Sequence, residues 1–261
     1  MKSTQITDTL SYQDRLSAHI DHYIQAVIDE PSVRLNEFQQ LKSYAEVTNP
    51  IRVLEVPAEG KVLEMFYPGA RIDRADFLKL QTSHYANSVM VTDWALTGIE
   101  HNVYDAVLAV VPFHHANASQ KQLYVSGAWR ALQPGGVLAL GEVEADSAVH
   151  HFLDGFINSN TDTGHKGNYP DKHFNQVLVQ QGFGEVSSEV RACPWVFVSE
   201  ESLFTYMNRL FSLKPISQCD LLDALKDCLG LYEKDGSLYL NWSLRYFRGV
   251  KPTGANNPCI R

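Results

Sequence analysis

The amino-acid sequence predicts an α/β protein whose sheet is mainly parallel and covered by helices on both faces. From Pro50 onward, short apolar runs of strand length alternate with segments of helical spacing. Parallel strands need such crossover connections. The chain has 261 residues, 44% of them hydrophobic, which is enough to bury one large core. Because open α/β sheets bind ligands beyond the carboxyl ends of their strands, functional residues are expected there.

The segment before the sheet is predicted to be helical. Apolar side chains recur at helical spacing up to about residue 47, with a break expected near Pro31. We therefore expect residues 1–48 to form an N-terminal helical arm or cap. Residues 49–261 are expected to form the main domain, with a lid insertion near 150–175.

Five apolar runs are predicted to be the first strands of the sheet. They cover residues 52–56, 70–76, 88–93, 104–111 and 136–144. A helix, a Gly-Phe turn and two further strands are expected over 173–199, and more β-structure over 235–251.

Composition excludes several classes of function. The formal net charge of −8, with no basic run, disfavours nucleic-acid partners. The four cysteines form no CxxC pair, and no metal site is predicted. The first residues lack an apolar signal-peptide core, and no segment approaches the roughly 20 apolar residues of a membrane span. A soluble, cytoplasmic protein without a membrane partner is expected, and its oligomeric state stays open.

Acidic residues follow consecutive predicted strands. Glu55 ends the first strand, Asp76 the second, and Asp93 with Trp94 follows the third. Taken alone, an aspartate at a strand end is equally well a helix N-cap, and Trp94 is more readily a core residue. A Pro-Gly-Gly turn at 134–136 then leads into the fifth strand. The shared order of these features favours a ligand cleft.

The ordered set resembles the class I S-adenosylmethionine-dependent methyltransferases. The matching segments are "VLEVPAEGK" (53–61), Asp76, Asp93, "YDAV" (104–107) and "WRALQPGG" (129–136), and the likeness spans about Val53 to Phe211. The resemblance implies a Rossmann-like methyltransferase fold, with a mainly parallel seven-stranded sheet, helices on both faces and additional N-terminal helices. It also implies S-adenosylmethionine (SAM) as cofactor.

The resemblance further implies which residues contact the cofactor. Asp76 would accept hydrogen bonds from the ribose hydroxyls, and Asp93 and Trp94 would bind the adenine. Glu55 and the carbonyls of the first turn would receive the ammonium group. The full set implied for the cofactor is Glu55, Pro57, Gly60, Asp76, Phe77, Asp93, Trp94 and Val111.

The first turn departs from the family pattern. Where the family has Gly-x-Gly, this chain has Pro57, Ala58 and Glu59, with Gly60 one place late. Pro57 removes a backbone donor, and Glu59 adds a negative charge near the expected cofactor carboxylate. That repulsion costs about 1 to 4 kcal/mol at ~4 Å unless Lys61 offsets it. An alternative therefore stays open, namely a methyltransferase-fold protein that binds a ligand or partner, or performs other chemistry, without methyl transfer.

The segment after the fourth strand indicates which class of molecule would accept the methyl group. "VPFHHANAS" (111–119) lacks the Asn/Asp-Pro-Pro-aromatic motif of enzymes that methylate bases or amide groups. A small-molecule metabolite or biosynthetic intermediate is therefore the expected substrate. His114 and His115 are candidate bases for a hydroxyl or carboxyl acceptor, with Glu142 as a further candidate. The alternative is that one histidine is only a structural hydrogen-bonding group of the loop.

Residues 158–174 form a polar, glycine-containing segment between the fifth strand and the next helix. In small-molecule methyltransferases this region commonly covers the acceptor. His165 and Tyr169 are therefore candidate substrate or lid residues, with the glycines as hinges. The alternative is an ordinary solvated loop.

Overall fold

A computed structural model describes residues 20–77 and 89–254 of the chain. The predicted start of the N-terminal helix and residue 88 of the predicted third strand lie outside these ranges. The strands are β1 Arg52–Glu55, β2 Arg71–Asp76, β3 Val89–Val91, β4 Tyr104–Val110, β5 Leu132–Glu142, β6 Gly184–Ala192, β7 Trp195–Phe197, β8 Leu231–Lys234, β9 Ser237–Leu240 and β10 Ser243–Val250.

The helices precede, connect and follow these strands. They are α1 Ile20–Asp29, α2 Leu35–Ala45, α3 Leu63–Phe66, α4 Ala118–Ala131, α5 Ala148–Phe152, α6 Asn175–Gln181, α7 Glu200–Phe211 and α8 Gln218–Cys228. The α5 helix continues as a π-helical turn over Leu153–Ile157, and a 3₁₀ turn at Lys172–Phe174 precedes α6. In the described parts of the chain, no helix has the length and apolar character needed to cross a membrane.

The main sheet has seven strands in the order β3-β2-β1-β4-β5-β10-β6. The pairings from β3 to β5 are parallel, whereas β10 runs antiparallel to both of its neighbours. This architecture confirms the predicted seven-stranded, mainly parallel sheet. The sequence did not predict a second, three-stranded antiparallel sheet, β7-β9-β8.

The sheet buries both faces, because successive side chains of a strand point to opposite sides. In β1, Val53 belongs to one apolar cluster and Leu54 to the other. The first cluster includes side chains of α2, α5, α7 and α8, and the second includes side chains of α4 and α6. Two helical layers therefore hold the sheet and leave its carboxyl edge to the connecting loops.

The limits of the third and fifth strands differ most from the prediction. The third strand ends at Val91, because the Asp93 carboxylate accepts hydrogen bonds from the backbone N–H and hydroxyl of Thr97 and turns the chain. The fifth strand begins at Leu132 rather than residue 136. Its Pro-Gly-Gly segment lies within the strand at an irregularity of the β4–β5 register, where Gly135 has φ +85°.

Candidate functional site

A cleft opens at the carboxyl edge of the parallel strands. The chain leaves β1 toward β2 on one side and reaches β4 on the other, so the strand order reverses between β1 and β4. Ligands of open α/β sheets bind at such a reversal. The turn after β1, the end of β2, the loop after β4 and the segment 161–165 all line this cleft.

The first turn is fastened to the second strand. The Ala58 backbone N–H donates to Asp76 Oδ2 at 3.3 Å, and Arg74 Nε donates to the Gly60 carbonyl at 3.0 Å. Gly60 has φ +92°, a conformation that favours glycine, so the displaced glycine is still used for the turn. Pro57, Ala58, Glu59 and Asp76 line the cleft, and the Asp76 carboxylate lies at the strand tip where the sequence predicted it.

Glu55 lies behind the turn rather than in the cleft. It is buried, and Arg74 Nε donates to its Oε2 at 2.8 Å. Arg74 also pairs with Glu64. Burial raises the pKa of Glu55 to about 8, against the lowering effect of Arg74. The predicted contact of Glu55 with an ammonium group would therefore require this buried pair to rearrange.

Glu59 is the centre of a buried polar network that joins the first turn to the N-terminal helices. The Tyr23 hydroxyl lies 2.6 and 2.7 Å from its two carboxylate oxygens, and Arg34 Nη1 donates to Oε2 at 2.7 Å. Arg34 Nε also donates to Glu37 Oε2 at 2.7 Å, and Trp195 Nε1 donates to Glu37 Oε1 at 2.8 Å. One guanidinium thus contacts two buried carboxylates.

Several residues of this network are charged or titratable groups that line the cleft. Burial raises the pKa of Glu37, but Arg34 and the Trp195 N–H oppose this, and both Glu37 oxygens accept hydrogen bonds, as expected for a carboxylate. Burial and then Glu59 raise the pKa of Tyr23, so its phenol remains a donor. The described lining residues include three acidic side chains, Glu37, Glu59 and Asp76, and one basic side chain, Arg34. The cleft therefore favours a cationic ligand.

The residues predicted to bind adenine lie together beside the cleft. Trp94 stacks on buried Phe77 with ring centroids 4.0 Å apart and an interplanar angle of 25°. The bonds from Thr97 lower the pKa of Asp93, so this carboxylate stays ionised within its own turn. Phe77, Asp93 and Trp94 do not line the described cleft, whereas Val111 does. Val111 has φ +45°, which is strained for a β-branched residue and is typical of functional sites.

A buried carboxylate holds the loop after β4 at Phe113 and His114. Glu142, at the end of β5, accepts from the backbone N–H groups of Phe113 at 2.5 Å and His114 at 3.1 Å. Its Oε1 accepts from the Val143 N–H at 2.7 Å and lies 3.3 Å from His114 Nδ1. Glu142 therefore orients the loop, and both His114 and His115 line the cleft.

The predicted lid segment contributes one wall of the cleft. Thr161, Thr163, Gly164 and His165 line it. Tyr169 does not, but its ring lies parallel to that of His114, with centroids 5.9 Å apart. The Tyr169 hydroxyl donates to Asp154 Oδ1 at 2.8 Å, and burial together with Asp154 raises the pKa of this phenol. Asp154 also accepts from the Gly167 N–H at 3.0 Å, so one carboxylate holds the segment.

Several solved structures with the same fold are described as methyltransferases. A SAM-dependent methyltransferase from Thermotoga maritima superposes with a TM-score of 0.59 at 12% identity, over 92% of this chain and 99% of that one. The phosphoethanolamine N-methyltransferase 2 of Haemonchus contortus, in complex with phosphomonomethylethanolamine and S-adenosylhomocysteine, also gives 0.59, at 15% identity over 93% of this chain. This chain spans 60% of that enzyme. The protein has the class I methyltransferase fold.

Comparison with known sequences gives no further information about the family of this chain. The chain matches no protein-family model and no curated protein sequence at a significant level. A second structure of the Haemonchus contortus enzyme, in complex with S-adenosyl-L-methionine, superposes with a TM-score of 0.54 at 16% identity, over 94% of this chain and 61% of that one.

Several lining residues of this methyltransferase fold were missed by the sequence reasoning. They are Arg34, Glu37, Trp195, Leu210, Phe211 and Trp242, among others. These network residues come from the start of α2 and from β7, which tertiary packing brings together over a large separation in sequence. One local signal for this network was present in the sequence. Arg34 and Glu37 have the i, i+3 spacing of an ion pair at the start of a helix.

Proposed function

We propose that the protein is a SAM-dependent methyltransferase that acts on a small-molecule metabolite or biosynthetic intermediate. The observation that carries the proposal is the meeting of Asp76 and the first turn in one cleft, at the point where the strand order reverses. The methyltransferases of the same fold support it.

The residues of the cleft fit the parts of the cofactor. Asp76 offers a carboxylate to the ribose hydroxyls, and Arg34 with Tyr23 offers donors to the methionine carboxylate. The acidic residues of the cleft favour the positively charged sulfonium. Phe77 and Trp94 provide an aromatic wall for adenine once the region beside Val111 opens.

Binding requires the cleft to widen. Its cavity volume is about 130 Å³, below the roughly 300 Å³ at the lower end of typical ligand pockets. Glu59 also occupies the donors of Arg34 and Tyr23. We infer that the Glu59 side chain moves when ligand enters, together with residues 158–171 of the predicted lid segment. The ligand carboxylate would then replace that of Glu59 beside Arg34 and Tyr23.

The chemistry supplied by bound SAM is an electrophilic methyl group on sulfur. The protein contributes orientation of the acceptor along the line of the breaking bond. His114 and His115 lie at the same edge and can accept a proton from a hydroxyl or carboxyl acceptor. The segment 158–171, held by Asp154, covers the cleft and excludes water.

The acceptor is inferred to be small and partly apolar. Leu153, Phe211 and Trp242 form an apolar wall of the cleft. The net charge of −8 disfavours nucleic acid, and the absence of CxxC pairs is consistent with a cytoplasmic location, as the sequence predicts.

A second candidate is a methyltransferase-fold protein that does not transfer methyl groups. The Glu59 network favours it, because an internal carboxylate already satisfies Arg34. This candidate predicts a stable closed cleft that binds a partner or a different ligand.

Transfer of labelled methyl groups separates the two candidates. The protein is incubated with methyl-labelled SAM and the low-molecular-mass fraction of a cell extract, and label is followed into products. We expect label in small molecules with the wild type and its loss in Asp76→Asn. Label in macromolecules alone, or none above a heat-inactivated control, would contradict the proposal.

A further inference from the structure

Three histidine side chains meet at one side of the cleft. His114 and His115 follow β4, and His165 comes from the segment 158–171. One nitrogen of each ring lies within 4.8 Å of the nitrogens offered by the other two. The ring centroids are 4.2 Å apart for His114–His115, 5.3 Å for His114–His165 and 4.8 Å for His115–His165. The arrangement is compact enough for a single ion.

The positions of the rings are fixed by bonds that do not depend on an ion. Glu142 holds the backbone of His114, and the Asn168 N–H donates to the His114 carbonyl at 2.5 Å. The His165 N–H donates to Asn158 Oδ1 at 2.9 Å. The loop after β4 and the lid segment are therefore fastened to each other, and the three rings are brought together by the fold.

Glu142 also lies close to the ring of His114, although His114 Nδ1 makes no hydrogen bond. Its Oε1 lies 3.3 Å from His114 Nδ1, and the carboxylate is fully buried. Metal-bound histidines usually direct their second nitrogen to a carboxylate or carbonyl, which orients the ring and strengthens the ligand. A small rotation of the His114 ring would let Nδ1 bond to Glu142 and leave Nε2 for an ion.

Charge also favours a cation at this position. Glu37, Glu59 and Asp76 line the same cleft, and Arg34 is the one lysine or arginine among the described lining residues. A divalent ion beside the three imidazoles would therefore lie in a cleft whose charged side chains are mainly acidic.

We propose that His114, His115 and His165 bind one divalent transition-metal ion of the zinc class. Three imidazoles without thiolate or carboxylate ligands suit zinc, cobalt, nickel or copper rather than magnesium or calcium. Zn–N bonds of about 2.0 to 2.1 Å place tetrahedral ligand nitrogens about 3.4 Å apart, so small ring rotations close the site. Three protein ligands leave a fourth position facing the cleft, as in catalytic zinc sites. The sequence had predicted no metal site.

Titration of the chelator-treated, full-length protein with Co²⁺ alone tests the site. No SAM is present, so failure of the metal site leaves the proposed methyl transfer untouched. We expect one Co²⁺ per chain, the intense visible absorption of four- or five-coordinate Co²⁺, and its loss when Zn²⁺ is added. His114→Ala and His165→Ala, from different segments, should each weaken binding at least 100-fold, and Glu142→Gln about 10- to 100-fold.

The chain offers a matched control. His150 and His151 on α5 are also adjacent and stacked, with centroids 5.0 Å apart, but they are not part of the three-histidine group. His151→Ala should leave Co²⁺ affinity unchanged, and circular dichroism checks that each variant is folded. A wild type with no saturable Co²⁺ binding, a weakly absorbing octahedral spectrum, or equal loss in His151→Ala would overturn the proposal. Should His114→Ala fail to fold, unchanged affinity in folded His165→Ala alone would overturn it.

Discussion

Replacing Arg34 by glutamine tests whether the buried network joins the N-terminal helices to the first turn. The substitution removes hydrogen bonds to Glu59, Glu37 and the Tyr23 hydroxyl, and it leaves two buried carboxylates without their cation. Breaking a buried ion pair from one side typically costs about 3 to 5 kcal/mol. We expect the free energy of unfolding to fall by about that amount at pH 7.

The double variant Arg34→Gln/Glu59→Gln measures the coupling directly. Removing the second charge leaves only Glu37 unpaired, so the double variant should be more stable than the sum of the single changes by about 1 to 3 kcal/mol. Urea unfolding is followed by far-UV circular dichroism, because Trp195 is itself part of the network. Arg209→Gln is the control, since Arg209 pairs with Asp29 in solvent and should change stability by at most about 1 kcal/mol.

Two outcomes would refute this reasoning. A loss of less than about 1 kcal/mol in Arg34→Gln would mean that the carboxylates are not charged and buried together. If the changes in unfolding free energy of the two single variants add up to that of the double variant, Arg34 and Glu59 do not interact in the folded protein.

Two further predictions concern pH and the lid. The pKa of Glu55 is raised from 4.5 to about 8 on folding, so the folded state holds the proton more tightly, and this contribution to stability is lost as pH rises from about 4.5 through 8. Glu55→Gln should therefore flatten the pH dependence of the melting temperature in that range, and an unchanged slope would contradict the assignment. Tyr169→Phe removes the bond to Asp154, so trypsin should cut after exposed Lys166 faster than in wild type, by mass spectrometry. Tyr232→Phe, at an exposed tyrosine, should leave that cleavage rate unchanged.

The strands and the acid at the tip of β2 could be predicted because their signals are local. Each parallel strand is a short apolar run, and the residue that ends it is placed at the sheet edge by the fold itself. Asp76 therefore lies at the cleft because it ends β2 at the carboxyl edge of the sheet. The limits of β3 and β5 could not be predicted, since side-chain bonds from Thr97 to Asp93 and an irregular register at Gly135 decide them.

The partners of Glu59 could not be predicted, because they depend on tertiary packing. Arg34 lies 25 residues before Glu59, and Trp195, which completes the network through Glu37, lies 158 residues beyond Glu37. In the sequence, Glu59 is an acid of the first turn, and Lys61 was the candidate counter-ion. The structure pairs Glu59 with Arg34 instead. Likewise, His114 and His165 were separate candidates until the loop after β4 and the lid segment were seen to be bonded together.

Calorimetric titration of the protein with SAM tests the central claim most directly. Asp76→Asn can still accept the Ala58 N–H but loses the charge offered to the ribose, whereas Asp73→Asn alters the same strand where it pairs with Arg52 and Arg71, away from the cleft. We expect saturable binding of one SAM per chain with a Kd below about 1 mM. We expect it to be weakened roughly 10- to 100-fold in Asp76→Asn and unchanged in Asp73→Asn. No heat of binding at millimolar SAM, or equal affinity in wild type and Asp76→Asn, would contradict the account.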